Sequence, residues 1–146
     1  MDHGAWSTAC QRANPQSRKK ATAAQLSQFE TFYRENASWL EPYSLFMALE
    51  KVHGRASWNT WEEDIRRREP QALERWHQKL EREIECQQYQ QYQFYQQWLA
   101  LKKYCHQCSI SLIGDIPIFT ALDSAEVWAH PGMFYLDEFG KPTVVA

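Results

Sequence analysis

The chain has 146 residues, with 16 Lys and Arg against 18 Asp and Glu and a formal net charge of −2. This length predicts one domain and excludes a complete (β/α)8 barrel, which takes about 250 residues. The balanced charge excludes the basic surface of a nucleic-acid-binding domain. No apolar run approaches the roughly 20 residues of a membrane span, so we expect neither nucleic acid nor a membrane as partner.

Residues 1–21 are predicted to form a disordered tail, because they mix Gly, Ser, Asn and Gln with Pro15 and show no apolar period. The N-terminus also lacks the basic-then-apolar order of a signal peptide. We therefore expect a cytoplasmic protein, in whose reducing surroundings the four cysteines are free thiols.

Four helices are predicted to follow the tail, because apolar residues recur there at three- and four-residue spacing. A kink near Cys86 to Tyr89 would fit the length of the fourth helix, although no Pro or Gly marks its place. The helical region is residues 22–106, and the approximate helix ranges are 22–35, 39–53, 57–68 and 70–106, the first two separated by Asn36-Ala37-Ser38.

The connecting segments contain side chains with two interpretations each. The lone His53, placed before Gly54, is interpreted as a helix-end residue rather than a metal ligand. Trp58 and Trp61 are either packing anchors or platforms for a sugar ring, and packing is favoured. The change from acidic to basic residues across 62–68 predicts a solvated helix face with i,i+4 ion pairs.

Cys105-His106-Gln107-Cys108 has the spacing of a metal half-site or a redox pair. A structural zinc site needs a second pair of ligands, and a redox pair belongs at the start of a helix rather than its end. The favoured interpretation is two small residues at a turn from helix to strand, so we expect no metal and no cofactor.

The stretch from Ile110 to Phe119 begins as an apolar run and changes character at Gly114-Asp115. This pattern predicts a strand buried on both faces, with Asp115 at its carboxyl end. A helix followed by such a strand is half of a βαβ unit. On the pattern alone, Asp115 is as well explained by capping of the next segment as by catalysis.

Residues 107–146 are predicted to contain this strand and the loop that follows it. Asp115, Asp123 and Glu126 lie close together in sequence, and two carboxylates are the minimum for glycosidic chemistry. Asp123-Ser124 is an equally good N-cap for a short helix. A turn at residues 137–140 between two short apolar runs predicts a β-hairpin, and the chain stops inside its second run, which suggests truncation.

Three blocks of this sequence resemble glycoside hydrolase family 77, the 4-α-glucanotransferases or amylomaltases. They are Asn36 to Leu49, Phe94 to Tyr104, and the stretch from Gly114 to Ala146 that contains Gly-Asp-Ile-Pro-Ile-Phe. The resemblance covers about Leu26 to Ala146 and keeps the spacing of the three blocks. It implies an α/β fold, here a partial (β/α)8 TIM-barrel segment that is predominantly helical, with one or two barrel strands and a C-terminal β-hairpin region. In that fold, residues 107–146 would be a barrel strand and a truncated active-site-face loop.

The same resemblance implies transfer of an α-1,4-glucan segment to the 4-hydroxyl of another glucan by a retaining double displacement. The partners would be maltooligosaccharides or α-1,4-glucan. By match, Asp115 would be a supporting catalytic residue rather than the nucleophile, while Asp123 and Trp128 would bind substrate. The family's nucleophile and acid/base would lie beyond Ala146, so we expect a fragment without competent catalysis. The alternative is a non-catalytic α-glucan-binding or helical interaction module that uses exposed Trp58, Trp61 and Tyr side chains.

Overall fold

The computed structural model describes residues 23–144, and the predicted tail at 1–21 lies outside them. Helices dominate this part of the chain. We name the α-helices α1 (Ala23–Val52), α2 (Glu63–Arg66), α3 (Pro70–Lys79), α4 (Glu81–Gln107) and α5 (Ala125–Ala129), with 3₁₀ turns at Trp58–Thr60 and Pro131–Met133.

Helix α1 is continuous where the sequence predicted two helices. The side-chain amide of Asn36 donates to the carbonyl of Phe32 at 2.8 Å, and its oxygen accepts from the indole N–H of Trp39 at 3.0 Å. The polar group that was expected to end the helix is thus satisfied within it, so the backbone continues. Pro42 lies inside α1 and removes one backbone donor from the ladder without ending it.

The predicted helix over 70–106 is interrupted at Leu80 rather than between Cys86 and Tyr89. Leu80 has φ −113° and ψ 17°, outside helical geometry. Helical hydrogen bonds nevertheless pass through it, since its N–H donates to Trp76 and its carbonyl accepts from Ile84, both at 2.9 Å. Helices α3 and α4 are therefore two segments joined at one buried leucine.

The chain divides into two compact units, the first formed by residues 23–40 and 85–114. Its core is aromatic, and the ring centroids of Phe29 and Phe32 lie 5.5 and 5.6 Å from that of Tyr92. The Tyr92 hydroxyl donates to the side-chain oxygen of Gln28. Burial raises the pKa of the Tyr92 phenol, and the neighbouring Tyr89 adds to that rise.

The second unit comprises residues 41–84 and 115–144 and contains the larger core. Each large apolar side chain that is fully buried there stabilises the fold by about 1.5–3 kcal/mol. The buried members of this core include Leu45, Phe46, Leu49, Trp58, Trp61, Ile65, Trp76, Leu80, Ile84, Val127 and Trp128.

The predicted strands are absent from residues 23–144. The stretch 110–119 has no regular secondary structure, and its apolar side chains are open to solvent, with Ile113 97% and Ile116 83% exposed. The predicted hairpin is reduced to a turn with one antiparallel bridge between Leu136 and Pro142. A strand needs a neighbour for its backbone groups, and an isolated hairpin is marginal in water, which explains both differences.

The turn at residues 137–140 is nonetheless well defined. The Asp137 carboxylate accepts from the N–H groups of Phe139 and Lys141 at 2.9 and 2.8 Å. Gly140 has φ +75°, and a Cβ at this position would overlap the ring of Trp58. The glycine is therefore required both by the turn and by the close packing of the second unit.

Candidate functional site

Asp115 is exposed, in the irregular stretch that follows α4. Its carboxylate accepts one hydrogen bond, at 2.8 Å, from the N–H of the next residue, Ile116. Its neighbours Ile116 and Ile118 are 83% and 88% exposed. Among residues 23–144, the carboxylate is thus held by a local contact and is open to other groups.

Asp123 is tied to a segment far away in sequence. Its Oδ1 accepts from the hydroxyl of Ser57 at 3.1 Å and from the backbone N–H of Trp58 at 3.2 Å. The indole N–H of Trp58 in turn donates to the carbonyl of Leu122 at 2.8 Å. Asp123 therefore caps the 3₁₀ turn at Trp58–Thr60.

The predicted N-cap of the short helix is confirmed at Ser124 alone. Its hydroxyl accepts from the N–H of Val127 at 3.3 Å, at the start of α5. Asp123 caps a different element, the turn at Trp58–Thr60. Its partner Ser57 lies 66 positions away in the sequence, so no local pattern could have predicted the contact. The two adjacent polar residues thus connect α5 to the turn at Trp58.

Trp128 is fully buried, at 0% exposure. Its indole N–H donates to the carbonyl of Ile65 at 3.2 Å, and its ring lies 5.8 Å from Phe46 and 5.9 Å from Trp61, centroid to centroid. A ring in these surroundings offers no face to a sugar. The sequence-based assignment of Trp128 to substrate binding remains a prediction, and the contacts seen here are those of a core residue.

The interpretation of Trp58 and Trp61 as packing anchors is confirmed, since they are 2% and 4% exposed. His53 is confirmed as a helix-end residue: one ring nitrogen lies 2.8 Å from the carbonyl of Leu49, and the ring stacks on Trp61 at 4.9 Å. Its Nε2 lies 2.7 Å from the carboxylate of Glu62, and this hydrogen bond lowers the pKa of Glu62. The exposed tryptophans that the alternative module requires are not found at positions 58 and 61.

Cys105 and Cys108 close helix α4. Cys105 is buried and Cys108 exposed, both as free thiols. The N–H of Ile110 donates to the carbonyl of Cys105 at 2.8 Å, and Ser109 has φ +57°, an arrangement typical of a helix end. Within residues 23–144, no group of three or more His, Cys, Asp or Glu side chains is placed to hold a metal ion.

No helix among the described residues combines the length and apolar character needed to cross a bilayer.

A sequence model of the 4-alpha-glucanotransferase family matches residues 5–142, nearly the whole chain. The chain belongs to this family. The 4-alpha-glucanotransferase of Thermus thermophilus is 46% identical over 129 residues, which are 88% of this chain and 26% of the relative. That of Synechocystis is 41% identical over 120 residues, 82% of this chain and 24% of the relative.

A solved structure, the amylomaltase from Streptococcus agalactiae in complex with acarbose, superposes with a TM-score of 0.80 at 35% identity. The match covers 86% of this chain and 25% of the amylomaltase. This chain therefore spans about a quarter of the length of the relatives it matches, and it shares the fold of that part of an amylomaltase.

Proposed function

We propose that this chain is part of a 4-alpha-glucanotransferase that transfers an α-1,4-glucan segment to the 4-hydroxyl of another glucan. The observation that carries the proposal is the family match over residues 5–142. The reaction would be a retaining double displacement, in which one carboxylate forms a covalent glycosyl-enzyme and a second acts as acid and then base. The donors and acceptors would be maltooligosaccharides or α-1,4-glucan, and the relative in complex with acarbose supports such a ligand.

Within this reaction we assign Asp115 a supporting role at the carbohydrate site. A carboxylate that orients other catalytic groups needs its oxygens free to contact them. It cannot also be bound by hydrogen bonds to a distant structural segment. Asp115 meets this condition, since its bond to the N–H of Ile116 is local. Asp123 does not, because both of its partners belong to the segment at Ser57-Trp58.

We further propose that the stretch 110–119 forms a strand of a TIM barrel when neighbouring strands flank it. Its side chains are apolar and exposed here, with Ile113, Ile116 and Ile118 the most open. A parallel strand is stable only when both faces are covered. Barrel closure would cover them. The apolar run of the strand ends at Gly114-Asp115, so Asp115 would lie at its carboxyl end, where barrel enzymes have their active sites.

The proposal is tested by segment exchange. The matching 129 residues of the Thermus thermophilus enzyme are replaced by those of this chain, and glucose release from maltotriose is measured. We expect a folded, active hybrid, in which Asp115→Asn lowers kcat on the order of 100-fold because a misplaced catalytic group costs about that much.

Glu138→Gln, in the exposed turn that follows, is the matched control and should leave kcat unchanged. A hybrid with normal thermal stability but no transfer would refute the proposed function. Disproportionation of maltotriose by the unfused chain would refute the supporting role of Asp115, because that role requires catalytic groups from elsewhere.

A further inference from the structure

The three consecutive arginines at the end of helix α2, Arg66 to Arg68, differ in their surroundings. Arg67 is exposed and pairs with Glu63 at 3.1 Å, as the sequence predicted for a solvated face. Arg66 and Arg68 are partly buried and lie against aromatic rings. The guanidinium carbon of Arg66 is 5.8 Å from the centroid of Phe139, and that of Arg68 is 4.2 Å from the centroid of Trp128.

Arg66 and Arg68 each have one buried donor nitrogen without a hydrogen-bond partner among the described residues. These are Nε of Arg66 and Nη1 of Arg68. A buried donor that lacks an acceptor costs free energy, and a charged one costs more. An acceptor that binds close to such a group would remove this cost.

The position of Arg68 is fixed by its backbone. Arg68 has φ +57°, a conformation that non-glycine residues rarely adopt. Its N–H donates to the carbonyl of Ile65 at 3.1 Å, and the same carbonyl accepts the indole N–H of Trp128 at 3.2 Å. One carbonyl thus holds both the arginine and the ring on which its guanidinium lies.

Arg68 has no carboxylate within ion-pair distance in the part of the chain that the structure describes. Burial lowers the pKa of its guanidinium, although arginine remains charged at neutral pH. The acidic residues that precede it already have cationic or histidine partners: Glu62 with His53, Glu63 with Arg67, and Asp64 with Arg75.

We propose that Arg68, held on the face of Trp128, is the anchor of an oxyanion site that takes a phosphate group. The accessible part of a guanidinium offers a planar fork of donors that matches a phosphate or carboxylate. Phosphate is favoured over carboxylate because Arg66, two positions earlier in the sequence, adds a second positive charge that has no ion-pair partner among the described residues. Neither arginine has a place in the proposed glucan chemistry.

The test titrates the complete chain with inorganic phosphate at constant ionic strength, using chloride as the balancing anion. Tryptophan fluorescence and thermal stability are followed, since Trp128 lies under the guanidinium. We expect a saturable fluorescence change and a rising Tm. Arg68→Gln should weaken binding by about tenfold or more, because a charge-assisted hydrogen bond is lost.

Arg67→Gln is the matched control and should bind phosphate as the unmodified chain does. Arg68→Lys keeps the charge without the fork and should bind more weakly than the unmodified chain. Both Arg68 variants are checked for folding by circular dichroism, and Arg68→Gln should be at least as stable without phosphate because an unpaired buried charge is removed.

The proposal fails if phosphate gives no saturable response in the unmodified chain. It also fails if Arg67→Gln weakens binding as much as Arg68→Gln, which would indicate general surface charge. A response to acetate equal to that of phosphate would show a carboxylate site instead and would refute the choice of phosphate. Glucan transfer by the hybrid enzyme is a separate measurement, so either proposal can fail alone.

Discussion

Asp123 accepts a hydrogen bond at 3.2 Å from the backbone N–H of Trp58, which precedes it by 65 positions in the sequence. The return contact, from the Trp58 indole to the carbonyl of Leu122, makes the connection two-sided. A carboxylate that looked suited to glycosidic chemistry is thus used to join α5 and its preceding loop to the connector after α1. The structural role of Asp123 leads to the first prediction.

Replacing Asp123 by Ala should destabilise the fold by about 1–2 kcal/mol, because a capping acceptor for the turn at Trp58 is lost. Asp123→Asn keeps an acceptor oxygen and should cost less. Urea unfolding followed by tryptophan fluorescence measures both. Asp115→Ala is the control and should remain within about 0.5 kcal/mol of the unmodified chain; equal losses at the two positions would contradict the assigned contact.

Gly140→Ala should destabilise the fold by about 2–4 kcal/mol. The substitution forces an alanine to a positive φ and drives its Cβ into the ring of Trp58. Gly114→Ala is the matched control, since Gly114 has open space at this position and no positive φ. Thermal unfolding compares the two, and an unchanged Tm for Gly140→Ala would show that the turn does not pack on Trp58.

Trp128→Ala should cost about 3–5 kcal/mol, as expected for removal of a large buried ring. Trp98→Ala is the control, because Trp98 is 39% exposed and lies on the surface of α4. The measurement is the urea midpoint of each variant. A small loss at Trp128 would mean that the ring is not a core element and would restore its sequence-based assignment to substrate binding.

The contact between His53 and Glu62 makes the free energy of unfolding depend on pH. Its hydrogen bond lowers the folded-state pKa of Glu62 below the ordinary value of 4.5. The stabilisation of the fold by this contact is therefore fully present above the unfolded-state pKa of Glu62. It is lost as the pH falls through the folded-state pKa. Because the Glu62 side chain is 63% exposed, we expect no more than about 1 kcal/mol.

Glu62→Gln should accordingly lower the free energy of unfolding at pH 6 but not at strongly acidic pH. Urea unfolding of the two chains between about pH 2.5 and 6 tests this, with one unfolding curve recorded at roughly every half pH unit. A difference between the chains that stayed constant over this range would show that the carboxylate charge does not contribute.

Several elements follow from local sequence alone. The helical region, the cap at Ser124, the turn at residues 137–140 and the end of α4 at Cys105–Cys108 were all predicted correctly in kind. Their hydrogen bonds join residues within a few positions of each other, so the information lies in a short window. The family resemblance was equally predictable, since it rests on ordered blocks of residues.

The errors concern contacts that a short window does not contain. The break expected at Asn36 fails because the amide finds its acceptor one helical turn back. The strand expected at 110–119 fails because strand pairing requires a second segment, which residues 23–144 do not supply. The arginine run was assigned one common environment, yet Arg68 turns onto Trp128 while Arg67 does not.

The sequence by itself determined the helical content, the local caps and turns, and the family to which the chain belongs. Only the tertiary structure decided that Trp128 is a core residue, that Asp123 accepts a hydrogen bond from Trp58 and that Arg68 lies on an aromatic ring. The physical reason is the range of the interactions: helix and turn hydrogen bonds are local in sequence. Burial and long-range hydrogen bonding, by contrast, depend on which distant segments the folded chain brings together.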